Sequence, residues 1–137
     1  MKKIWDKKGA MQINRAVENY TVGIDYLLDF DLLPYDLKGT MAHAKMLHKI
    51  KILNNQELKT LLTGLNEILS LWKDGKFKID KSQEDGHTAI EAFLTEKYGD
   101  VGKKVHTGRS RNDQSLTMIR LFMKETLLQK KRKFLLC

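Results

Sequence analysis

Chemistry is most concentrated in the stretch His106-Thr107-Gly108-Arg109-Ser110-Arg111-Asn112-Asp113-Gln114. Ser110 with Asp113 three residues on reads as a capping box, so a helix starts here with unpaired backbone N–H groups in its first turn. Such donors attract anions. Arg109 and Arg111 flank the cap, a guanidinium grips a carboxylate through two parallel hydrogen bonds, and Gly108 lets a ligand approach the backbone. These residues suit a carboxylate or phosphate pocket, the plainer alternative being a capped helix with two solvated arginines. A second polar cluster, Asp85-Gly86-His87-Thr88, reads as another helix start. His106 can supply a hydrogen bond or a proton to the anion-prone loop, or a purely structural contact.

The other chemical candidates are weaker. His43 and His48 read as helix-surface or contact residues; no HExxH and no Cys/His set is present, which argues against a metal. Ser110 and Ser115 lack, in the sequence, an Asp-His arrangement that would activate a serine. Asp25, Asp29, Asp31 and Asp36 resemble a carboxylate cluster, but Asp36 is read as a first-turn residue favoured by the helix dipole. Glycines 99, 102 and 108 are too widely spaced for a phosphate-binding loop.

The elements that position these residues read as helices throughout. Residues 1–20 are expected to form an extended arm anchored by Trp5, and Tyr20 to Asp31 a loop or short extended piece. A helix is expected from Pro34 to about Lys51, with Leu33, Leu37, Met41, Ala44 and Leu47 on one face. Asn54 with Glu57 opens a second helix, whose apolar face runs Leu58, Leu61, Leu62, Leu65, Ile68, Leu69 and Trp72 and which Gly75 closes. The short connection implies an antiparallel pair. Phe77 and Ile79 form an extended link. Asp85 caps a third helix bearing Ala89, Ile90, Phe93, Leu94 and Tyr98, closed by Gly99. A fourth starts at Ser110, with Leu116, Ile119, Met123 and Leu127 on one face and Phe122 alongside. These stripes are read as core or bundle interface, and the fold class is all-α.

Composition sets the outer bounds. With 137 residues, 42% of them hydrophobic, the chain is long enough for one domain with a real core. No apolar run approaches the ~18 residues of a membrane span, and Met1 to Asp6 lacks a signal-peptide core, so a cytoplasmic protein is expected. The single cysteine, Cys137, allows no internal disulfide. The net charge of +8 is concentrated at the ends, +3 over residues 1–8 and +4 over residues 123–137, leaving a nearly neutral body. That distribution argues against a nucleic-acid-binding module, which only the basic ends would support.

The His106–Gln114 string resembles the signature of the argininosuccinate lyase family, within the fumarase/aspartase superfamily. Glu84-Asp85-Gly86-His87-Thr88-Ala89-Ile90-Glu91, the run Leu33 to Leu47 and the Ile4-Trp5 opening support it, and the resemblance spans about residues 4–128. It implies a small helical N-terminal domain over residues 1–109 leading into the start of a long central-bundle helix over 110–137. It also implies cleavage of argininosuccinate to arginine and fumarate, in arginine biosynthesis, by a homotetramer that uses no cofactor or metal. Carried over residue by residue, Arg111 and Asn112 bind substrate; Ser110 and Arg109 complete the candidate set, with His87, Thr88, Asp25 and His106 in support. The chain departs from the family at three places. The family's catalytic serine and acid-side histidine would fall beyond Cys137. Asp25 stands where many members carry a substrate-contacting serine. The basic tail 129–137 does not resemble the family's continuation, which suggests a truncated product without appreciable activity alone. Another superfamily member, such as an adenylosuccinate lyase, is the rival enzyme reading.

Overall fold

The computed structural model describes residues 25–80, 83 and 85–136. The expected arm, its Trp5 anchor, the segment up to Ile24 and the side chain of Asp25 lie outside the described residues. Among those described the architecture is all helical: α1 (Asp25–Lys49), α2 (Asn55–Lys73), α3 (Gly86–Tyr98), the short α4 (Asp100–Lys103), a 3-10 turn (Lys104–His106) and α5 (Arg111–Phe134).

Helix α1 corrects the expected start at Pro34, because the chain is already helical from Asp25 and the proline lies in the helix interior. A proline there leaves the carbonyl four residues back without its intrahelical donor. Here that carbonyl belongs to Phe30, and it accepts the Trp72 indole Nε1–H from α2 at 2.8 Å. Phe30 also continues the apolar face of Leu33 and Leu37 upstream, at i, i+3 and i+7, and packs against the core. The acids on either side of it, Asp29 and Asp31, concealed that register.

Helix α2 begins with the expected reciprocal cap. The Glu57 N–H donates to Asn54 Oδ1 at 2.8 Å, and the Asn54 N–H donates to Glu57 Oε2 at 2.9 Å. It ends in a Schellman motif: with Gly75 at φ +68°, the Lys76 N–H reaches the Leu71 carbonyl and the Gly75 N–H that of Trp72. Because Trp72 at the end of α2 meets Phe30 near the start of α1, and a short loop joins the other two ends, the pair is antiparallel, as the sequence implies. Leu33, Leu37, Leu61, Leu65 and Ile68 are buried between them.

Phe77 and Ile79 are buried in the link, and the Phe77 ring meets Phe93 of α3 edge-on at 6.1 Å. Helix α3 fills the third side of the core with Ala89, Ile90 and Leu94. The return through α4 is tight. A Cβ on Gly102 would sit 2.4 Å from the Leu94 carbonyl, so only glycine fits. Helix α5 then crosses α1 on a face made by Gln114, Met118 and Phe122, with Phe122 edge-on to Tyr35 at 5.5 Å. Leu116, Ile119, Met123 and Leu127 point away and remain exposed. The helix continues through the basic tail to Phe134, and Lys131, Arg132 and Lys133 in its last turn suit the negative end of the helix dipole.

Candidate active site

Two helix starts, those of α3 and α5, meet beside α1. At α3, Asp85 Oδ1 accepts the Thr88 N–H at 2.7 Å, and Asp29 Oδ2, reaching over from α1, accepts the Gly86 N–H at 2.8 Å. Two carboxylates therefore already cap this helix. At α5 the cap is the neutral Ser110 hydroxyl, which accepts the Asn112 N–H at 3.2 Å, one position earlier than a capping box with Asp113 predicts. Aspartate is one methylene shorter than the Glu or Gln that closes such a box. Of the two starts, that of α5 carries the neutral cap, with Asp113 as the acid of its first turn.

Arg111 bridges the two starts. Its Nη1–H donates to Asp85 Oδ2 at 2.5 Å and its Nη2–H to Thr88 Oγ1 at 3.0 Å, so the guanidinium is aimed across the gap between α3 and α5. Ser110 and Asn112 are exposed beside it. Arg109 turns the other way. Its Nη1–H donates to Thr40 Oγ1 on α1 at 3.4 Å, and partial burial pushes its guanidinium below its ordinary value. The two arginines that flank the cap in sequence are therefore separated in space, with Arg111 at the open side and Arg109 behind it.

Beneath these helix starts lies a polar cluster that the sequence reading missed. Asp36, which the sequence places in a first helical turn, is 1% exposed, since α1 begins well upstream of it. Its Oδ2 accepts the His87 Nδ1–H at 2.5 Å, and its Oδ1 accepts the Gln114 Nε2–H at 3.0 Å and the Thr40 hydroxyl at 3.3 Å. His87 Nε2 lies 3.2 Å from Ser115 Oγ. An aspartate, a histidine and a serine do line up here, correcting the reading that Ser115 has no such partners. Burial disfavours the Asp36 carboxylate, but the hydrogen bond and charge of His87 outweigh it and hold the pKa below the usual range. For His87 burial acts downward, and the same partner overcomes it and raises the pKa. Each partner thus favours the charged form of the other, inside the protein where either charge alone would be costly.

His106 is not in the open part of the loop. Both ring nitrogens are buried without a hydrogen bond, and burial lowers its pKa to about 4, against the opposing pull of Asp36. The loop is instead pinned by His43, whose Nε2–H donates to the Thr107 carbonyl at 3.0 Å. The contact reading of His48 likewise holds, through Nδ1 to the Leu53 carbonyl at 3.0 Å. Among the described residues no group of three or more His, Cys, Asp or Glu could hold a metal ion, and no helix is long and apolar enough to cross a membrane.

The described residues thus form an all-helical fold in which two helix starts meet at a polar junction. A family profile described as Lyase matches residues 11–135, and the chain belongs to that lyase family. Among its relatives is the argininosuccinate lyase of Thermotoga neapolitana, 46% identical over 125 residues, covering 91% of this chain and 31% of that protein. The argininosuccinate lyase of Bacteroides fragilis is 44% identical over 120 residues, 88% of this chain and 26% of that protein. That of Stenotrophomonas maltophilia is 43% identical over 125 residues, 91% of this chain and 29% of that protein. The chain thus spans roughly a quarter to a third of the length of the curated relatives it matches.

Proposed function

We propose that this chain is the substrate-gripping segment of an argininosuccinate lyase, the enzyme that releases arginine and fumarate, acting in arginine biosynthesis. One observation carries the reading beyond the likeness to named lyases: Arg111 sits at the α5 start and spans to Asp85 and Thr88 at the α3 start. Elimination next to a carboxylate builds negative charge on the succinyl portion, and fixed donors that meet this charge lower the barrier. Arg111, the neighbouring Asn112 and the neutrally capped first turn of α5 are such donors, Ser110 shapes the turn, and Arg109 supports it from behind through Thr40. To admit a substrate carboxylate, Arg111 exchanges Asp85 for the ligand, one carboxylate for another. His87 and Thr88 serve as supporting residues. The reading needs neither cofactor nor metal, and it carries with it a cytoplasmic homotetramer.

Titration calorimetry of the 137-residue chain with argininosuccinate and with adenylosuccinate tests it. Binding is expected for argininosuccinate in preference to adenylosuccinate, and Arg111→Met is expected to weaken it about ten- to a hundredfold, as loss of a charge-assisted hydrogen bond does. Equal binding of the two succinyl compounds, or an Arg111→Met variant that binds as wild type does, would overturn the assignment. Since the resemblance places both proton-transfer groups outside these 137 residues, argininosuccinate incubated with the chain alone is expected to yield no fumarate.

A further inference from the structure

Three side chains from three helices meet below the proposed site: Asp36 from α1, His87 from α3 and Ser115 from α5. Asp36 and His87 are 1% and 5% exposed. A buried carboxylate costs free energy unless its oxygens are occupied, and here both are, by His87 on one side and by Gln114 and Thr40 on the other. Gln114 and Ser115 both belong to α5, so the same cluster holds the helix that carries Arg111 and Asn112. Since Asp36 takes the Nδ1–H, the second ring nitrogen is left for Ser115 alone.

We propose that Asp36 is a positioning residue that keeps His87 as an imidazolium whose Nε2–H donates to the Ser115 hydroxyl, thereby tying the start of α5 to α1 and α3. The charged groups around the ring are three acids and two guanidiniums, that of Arg111 paired with Asp85 and that of Arg109 beside Thr40, and the two guanidiniums oppose a cationic ring. Asp36 and Asp29 approach from α1 and Asp85 from the head of α3, and all three favour the cation. The ring of His106, in the 3-10 turn, is kept neutral by burial and adds no opposing charge at neutral pH. With Nε2 donating, the Ser115 proton is free to turn outward, toward the gap between the helix starts. The inference rests on the lyase reading only for what occupies that gap.

The test is the nitrogen-15 spectrum of the histidine rings in the intact 137-residue chain, without ligand. At pH 7 His87 is expected to show both ring nitrogens protonated. Asp36→Asn is expected to lower its titration midpoint by about one unit or more, and Ser115→Ala to shift the Nε2 signal while Nδ1 stays in place. A merely space-filling Asp36 would leave the midpoint where it was. A neutral His87 at pH 7 in the wild type overturns the proposal, as does an unmoved midpoint in a folded Asp36→Asn. Should Asp36→Asn fail to fold, the wild-type ring and Ser115→Ala decide. No substrate enters this measurement. Failure of argininosuccinate to bind a chain whose His87 is an imidazolium would sink the lyase reading and leave the relay standing.

Discussion

His87 and His106 lie in one polar cluster, yet the fold pushes them in opposite directions. His87 has a carboxylate against its ring, whereas His106 has burial and no hydrogen-bonding partner. The consequences for stability follow from the signs. His87 is raised in the fold, so its contribution is complete below about pH 6.5, the value of a free histidine, and is lost as pH rises through the raised value. Asp36 is lowered, and its contribution is lost only as pH falls through a value below the usual carboxylate range. His106 is lowered to about 4, so the unfolded chain binds a proton that the folded chain refuses, and stability falls as pH drops from about 6.5 toward 4. Asp29, raised by burial, acts the other way as it protonates. Urea unfolding is therefore expected to show a loss of about 2 kcal/mol or somewhat less between pH 6.5 and 4.5, and His106→Phe is expected to flatten it. Equal losses in both proteins would assign the acid sensitivity elsewhere.

The fit of α1 to α2 turns on one carbonyl. Pro34 leaves the Phe30 oxygen without its helical donor, and the Trp72 indole supplies another across the interface. Trp72→Phe keeps an aromatic ring beside Phe30 but removes that N–H, at an expected cost of about 1–2 kcal/mol. Pro34→Ala restores the intrahelical donor, so in that background Trp72→Phe is expected to cost measurably less. A double-mutant cycle by thermal or urea unfolding reads the difference, and strict additivity would show that the two residues are not coupled. The apolar period of α2 and its two caps were plain in the sequence because they are local patterns. The true start of α1 was not, since what permits a proline inside that helix is a tryptophan from another helix.

As a whole the domain buries a core among α1, α2 and α3 and leaves α5 half covered. Leu116, Ile119, Met123 and Leu127 are 53%, 42%, 53% and 63% exposed, an apolar stripe along more than two turns. Exposed stripes of this kind associate. Light scattering on dilution is expected to show self-association of the 137-residue chain, relieved by Met123→Glu combined with Leu127→Lys. A clean monomer at high concentration would contradict this.

By itself the sequence determined the all-helical class, the capped ends of α2 and α3 and the antiparallel α1–α2 pair. These depend on spacing and on neighbours three or four residues apart, which a linear chain displays. Only the tertiary structure decided that Arg109 and Arg111 face different partners, that the ring nitrogens of His106 are buried, and that Asp36 is a buried acid rather than one in a first helical turn. Each of those depends on which helix packs against which, and Asp36, His87 and Ser115 stand too far apart in the chain for any local pattern to announce that they touch.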